Sequence, residues 1–479
     1  MAVSPARTDA VVVGAGPNGL AAALTLAREG FRVTVLEAED TIGGGARSRD
    51  DLTLPGLLHD VCSAIHPFGA ASAVFGSMPL ERHGLRWAHP EIAVAHPLDD
   101  GQVALKYRDL DRTVAELGED GPVWDRLLRP VVRTYDAVAS DLLGPVIRVP
   151  RHPIATGRAG ALSLLPATAT ASLFPGQAGK ALFGGVAAHA VQPLHRPLTT
   201  SVGLLMAAAG HRYGWPAVVG GSRALVESMA SYLRELGGQI HTGVRVTSLR
   251  DLPPTRVALL DVGPRALAEI AGDALPEPIR RRNARWRYGP GAFKVDYAVR
   301  GGVPWAAEAA RRSGTVHVIG SFAELVEAEQ LVHDGVMPER PFVLAAQQHL
   351  MDPDRAVGDV VPFWAYAHVP NAYAGDDALV RLEAQLERFA PGFGDRVVAR
   401  HVTTPADLEA YNPNNVGGDI AGGVTDPLQL IARPRLAVDP YRTGVPGLFL
   451  CSSSTPPGGG VHGLCGHHAA RSALRTLTA

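Results

Sequence analysis

The first forty residues switch between two hydrophobic periods. Asp9-Ala10-Val11-Val12-Val13 is a short apolar run of β-branched residues, the pattern of a buried strand. After it come Gly14-Ala15-Gly16-Pro17-Asn18-Gly19 and then residues 18–29, with Leu20, Ala23, Leu24 and Ala27 at helical spacing and Gly30 placed to end the helix. Residues 31–36 read as a parallel return strand ending on Glu37. Strand, glycine turn, helix, strand and acid together make a dinucleotide-binding fingerprint. Gly14 allows the tight turn, Gly16 lets the backbone approach a pyrophosphate, and Gly19 lets the helix lie close to the sheet. Phosphates then meet free N–H groups at the helix N-terminus, where Pro17 and Asn18 stand. Glu37, 18 residues after Gly19, is placed to accept hydrogen bonds from ribose hydroxyls and to repel a 2′-phosphate.

Further along, residues 85–205 are punctuated by proline and rich in Ala and Leu, as in 154–174 and 181–191, and predict a mainly helical region. The βα character returns with a helix over 224–236, a strand over 239–249 and a buried strand over 256–262. Residues 293–299 alternate, as a strand with one buried face does, and 378–389 predict an amphipathic helix. Near the end come an apolar run at 448–451, the loop Gly458-Gly459-Gly460-Val461-His462-Gly463, and a helix from about residue 466. That loop also has three glycines at fingerprint spacing. Too few residues follow it for a helix, a return strand and an acid, so one nucleotide fold is expected.

At 479 residues the chain is long for a single core, and two domains are expected. A formal charge of −2 with 19% charged residues implies no basic face for nucleic acid. Cys62, Cys451 and Cys465 are too scattered for a disulfide framework or a zinc site, so no metal is expected and a reducing, cytoplasmic setting fits. Neither a signal peptide nor a transmembrane segment is read. Of the 45 basic residues only Lys106, Lys180 and Lys294 are lysines, which singles each of them out.

With both ends in view, the chain resembles the phytoene-desaturase-like flavoproteins, a branch of the flavin amine oxidase superfamily. The head carries it with the glycine turn, Glu37 and Gly43-Gly44-Gly45-Ala46-Arg47-Ser48. The tail carries it with 446–451 and Pro456-Pro457-Gly458-Gly459-Gly460-Val461-His462-Gly463, and Tyr411-Asn412-Pro413-Asn414-Asn415 lies between them. The resemblance implies an α/β fold: a Rossmann-type FAD-binding domain assembled from segments 1–84, 206–275 and 426–479, with an α+β substrate domain inserted as 85–205 and 276–425. It implies FAD held by Gly14, Gly16, Pro17, Asn18, Gly19, Glu37, Gly44, Gly45, Ala46 and Arg47. Gly459, Gly460, Val461 and His462 would run along the flavin edge. Lys294 would reach toward flavin N5 through a water, as a compact ammonium can and a planar guanidinium cannot.

His66 and His462 are candidate acids or bases with near-neutral pKa values. Trp364 and Tyr366 are candidates to line a substrate cavity. The expected reaction is dehydrogenation of a small apolar or amphiphilic substrate, with hydride passing to flavin N5 and electrons on to oxygen or a quinone. A flavin-dependent isomerase or cyclase, an amine oxidase and a flavin-stabilised interaction protein are the alternatives. Peripheral contact with a membrane is compatible with an apolar substrate, and the oligomeric state is left open.

Overall fold

The computed structural model describes residues 8–478. Its nucleotide-binding layer is a five-stranded parallel sheet in the order Leu448–Leu450, Val257–Leu260, Ala10–Val13, Val33–Leu36, Gln239–His241. Val12 lies in register between Leu259 and Val35. The central strands are almost continuous in apolar residues because both faces of the sheet are covered. The helix Pro17–Ala27, the last helix Leu464–Leu477 and the helix Arg223–Glu235 pack on one side, and Pro264–Ala271 packs on the other. The sheet therefore draws on three stretches of chain separated by more than 150 residues each, a discontinuous Rossmann-type domain.

Gly19 shows why the fingerprint is built as it is. A Cβ there would stand 2.0 Å from the carbonyl oxygen of Gly14, so only glycine lets the first helix sit so near the first strand.

The second layer is a seven-stranded mixed sheet, in the order Val397–Thr403, Gly291–Arg300, Val360–Val369, Val343–Ala346, Ser313–Val318, Ile92–Pro97, Val103–Lys106. Helices Gly121–Arg133, Gln177–Ala187 and Thr199–Arg212 form an apolar cluster on one face, and Ala378–Phe389 packs on the other. Two of these strands lie inside the stretch read as mainly helical: Ile92–Pro97 and Val103–Lys106 are short runs whose period does not separate strand from helix. The strand read over 239–249 is shorter, Gln239–His241. It is an edge strand with an exposed pattern, and Gly243, at φ +69°, turns the chain away.

Candidate functional site

The parallel strands end on Gly14, Glu37 and Asp261, the edge at which open α/β sheets bind ligands. These residues open onto one cavity of about 890 Å³. Its wall takes Gly14, Gly16, Pro17, Asn18, Glu37, Gly44, Gly45 and Arg47 from the head, Gly459, Gly460, Val461 and His462 from the tail, and His66, Trp364 and Tyr366. Away from the sheet it becomes an apolar arm lined by Leu142, Val146, Leu164, Val191, Leu198 and Leu205. Gly19, Ala46 and Lys294 are absent from the wall. Gly19 and Ala46 are buried beneath it in the packing of the first helix.

At the sheet end nearly every polar group is engaged. Glu37 Oε2 accepts the Ala15 N–H at 2.7 Å, and Oε1 accepts the Glu39 N–H at 3.0 Å and Arg47 Nη2 at 3.4 Å. Arg47 also donates to the Thr41 carbonyl at 2.7 Å and lies over the Tyr411 ring, while the Tyr411 hydroxyl donates to the Gly44 carbonyl. Asp261 Oδ2 accepts the Gly19 N–H at 2.8 Å, so a carboxylate from another strand caps the first helix. Burial pushes the Asp261 carboxyl up to about 7; the Gly19 hydrogen bond opposes that rise and nearby Glu37 adds to it.

The two histidines differ from the near-neutral groups expected. Ser222 Oγ donates its single hydrogen to the Ser63 carbonyl at 2.7 Å, so at its 2.8 Å contact with His66 Nε2 it must be the acceptor. The His66 proton is therefore on Nε2, and Nδ1 is a buried acceptor without a protein partner. His462 Nδ1 accepts the Leu464 N–H at 3.1 Å and caps the last helix, and the His462 N–H donates within the loop to Gly460. Burial lowers both imidazoles to about 4, so both are neutral near pH 7.

Lys294 is 2% exposed and ion-paired with Asp296, two residues along the same strand. Its Nζ lies 5.9 Å from the ring of Trp364, so it sits one residue layer behind the wall. Burial alone would raise the Asp296 carboxyl, but Lys294 and His59 outweigh it and hold the group low. A second buried network, Arg355 between Asp60 (2.7 Å) and Asp352 (3.0 Å), ties the two layers together. Asp60 in turn accepts from Ser48 and from the Ser222 N–H, which fixes the serine that orients His66. The sequence reading missed Asp261, Asp296 and this network. Asp261 had one signal, an acid ending a buried strand as Glu37 does.

A family described as an NAD(P)-binding Rossmann-like domain matches residues 12–77. Over 98% of its length the chain is 27% identical to hydroxyneurosporene desaturase of Rhodobacter capsulatus, covering 98% of that protein. It is 25% identical to pyridine nucleotide-disulfide oxidoreductase domain-containing protein 2 of Rattus norvegicus, over 98% of this chain and 94% of that one. Over nearly its whole length the chain is similar to oxidoreductases of the phytoene desaturase kind, among them phytoene desaturase (neurosporene-forming) of Rhodobacter capsulatus, at 24% identity over 95% of this chain and 92% of that one. Among solved structures, a putrescine oxidase double mutant superposes with TM-score 0.60 at 16% identity over 99% of both chains. An oxidoreductase from Methanosarcina mazei gives 0.61 at 15% over 98% of this chain and all of that one. These two establish the fold. No group of His, Cys, Asp or Glu with metal-binding geometry occurs among the described residues, and none of their helices is long and apolar enough to cross a membrane.

Proposed function

We propose that the chain is an FAD-dependent dehydrogenase that introduces a double bond into a small apolar or amphiphilic substrate. The observation that carries this reading is the single cavity joining the glycine turn to an apolar arm. A dinucleotide fits the sheet end: a Cβ on Gly44 would stand 3.1 Å from Gly16 Cα, so the two glycines let their loops pack closely while both line the cavity, where phosphates could meet backbone. Glu37, with three donors on about four lone-pair positions, keeps an acceptor for a ribose hydroxyl.

When bound, FAD would supply a hydride acceptor at flavin N5. The chain would do the rest. Gly14, Gly16, Pro17, Asn18, Gly44 and Gly45 would cradle the phosphates, and Arg47 would brace Glu37. Gly459, Gly460 and Val461 would present backbone along the ring edge. His66 Nδ1 would accept a hydrogen bond, and Lys294 would keep a positive charge one layer behind Trp364. The arm would hold the substrate away from water, and the electrons would pass on to oxygen or a quinone.

Purified protein should be yellow and release FAD on denaturation, as fluorescence of the supernatant will report. A colourless protein with no affinity for added FAD would remove the proposal.

A further inference from the structure

We propose that a second, arginine-rimmed pocket, on the Pro264–Ala271 side of the nucleotide sheet, binds a phosphoryl group carried by a small metabolite. The proposal is independent of the functional reading above, because this pocket, of about 230 Å³, shares no lining residue with the large cavity. It lies between the helix Glu277–Ala284, the loop that follows Arg433 and the edge strand Leu448–Leu450. Leu267, Ile279 and Leu450 give it an apolar wall, and Arg282, Arg435 and Arg442 bring three guanidinium groups to it. No Asp or Glu of the described residues lines it.

Three like charges around one small pocket repel one another unless an anion joins them. Burial, joined by the charges of Arg282 and Arg442 and opposed by that of Asp439, lowers the Arg435 guanidinium from its ordinary value. The protein does little to neutralise the group. Arg282 donates to the Pro434 and Ala432 carbonyls at 2.7 and 3.0 Å, and Arg435 to the Asp439 carbonyl at 3.4 Å; neither meets a carboxylate among the described residues. Arg435 Nε is buried without a partner. Asp439 Oδ2, the nearby carboxylate oxygen, is already shared by Arg442 at 3.2 Å, Arg475 at 2.8 Å and the Ser472 hydroxyl.

Asn283 separates this pocket from a chance gap between surface arginines. It is 3% exposed, lines the pocket, and its side-chain amide makes no hydrogen bond among the described residues, so it presents both a donor and an acceptor to an occupant. A phosphoryl group carries a charge of about −1.5 to −2 at pH 7 and three strong acceptor oxygens, and guanidinium groups match it in bidentate geometry. The volume lies below the about 300–1,000 Å³ of sites for drug-sized ligands, so the carbon body must be small. Asn283 and the apolar wall would hold that body.

The test is isothermal titration of the full-length protein, saturated with FAD, against inorganic phosphate, glycerol 3-phosphate and glycerol. Salt is held at about 0.15 M, where exposed charges more than about 8 Å apart are largely screened. One glycerol 3-phosphate should bind per chain, and glycerol alone should not. Tighter binding than inorganic phosphate assigns the pocket to a phosphomonoester, and equal binding assigns it to free phosphate. Arg435→Gln should weaken binding about tenfold, as loss of a hydrogen bond to a charged group does, with Arg435→Lys retaining more of it. Arg282→Gln with Arg435→Gln should abolish it, all variants keeping their FAD content and circular dichroism. No heat from either phosphorylated probe, or Arg435→Gln binding like wild type, would overturn the proposal. Binding that the variants retain but added FAD removes would overturn it too and place the phosphate at the glycine turn.

Discussion

The two ends of the cavity are built by opposite means. At the sheet end the wall is backbone, glycine and carboxylate: Glu37 is braced by Ala15, Glu39 and Arg47, and Asp261 is held on Gly19. In the arm the wall is the apolar side of helices such as Thr199–Arg212, whose Leu205 and Met206 fill space without directional bonds. A wall made of backbone tolerates almost no change, because its neighbours cannot move aside. A wall of apolar side chains tolerates exchange at similar volume. The sheet end should therefore be fixed in sequence and the arm free to vary.

The contrast can be broken first at the buried charge behind Trp364. Lys294→Met leaves Asp296 as a buried carboxylate without its ion-pair partner. It should cost about 3–5 kcal/mol of unfolding free energy, while Lys294→Met with Asp296→Asn recovers most of the loss. Denaturant titration of the cycle, with Asp296→Asn as the other single variant, checks this, and single-variant costs that simply add up to the double-variant cost would show that the pair is not coupled.

Next, Gly19→Ala forces a methyl against the Gly14 carbonyl and should destabilise by about 3 kcal/mol with loss of FAD, whereas Leu205→Met in the arm should cost under about 1.5 kcal/mol and keep FAD. Calorimetry with flavin content distinguishes them.

An effect graded by pH concerns Lys106, which packs against Gly210 on the helix that also lines the arm. It is fully buried over the Trp215 ring with no hydrogen-bond partner, and burial lowers it to about 7. Its folded-state pKa is depressed, so the unfolded chain binds the proton more tightly. Wild-type stability should then rise with pH by about 1.4 kcal/mol per unit between about 7 and 10.5 from this group. Lys106→Met should be the more stable protein at pH 7, with the advantage shrinking toward pH 10. An advantage that does not change with pH would remove Lys106 as its source.

What could be read from the chain follows the same division. The nucleotide sheet was legible because continuous valine runs, a glycine turn and an acid are local patterns, and both ends of the chain carry them. Lys294 was legible as a rare lysine on an alternating strand. Its partner Asp296 lay two residues away, yet nothing local says that both side chains are buried. Asp261 on Gly19, 242 residues apart, and Arg355 on Asp60, 295 apart, depend on contacts that no local period encodes. The neutrality of His66 and His462 was hidden for a related reason: burial sets it, and the sequence displays residue type without solvent.

The most direct measurement is anaerobic mixing of the FAD-loaded protein with a panel of apolar and amphiphilic substrates, following flavin absorbance and analysing the product. The account predicts that one class bleaches the flavin and gains one double bond for each flavin reduced. Flavin that bleaches only with dithionite, or a product formed while the flavin stays unchanged, would contradict it.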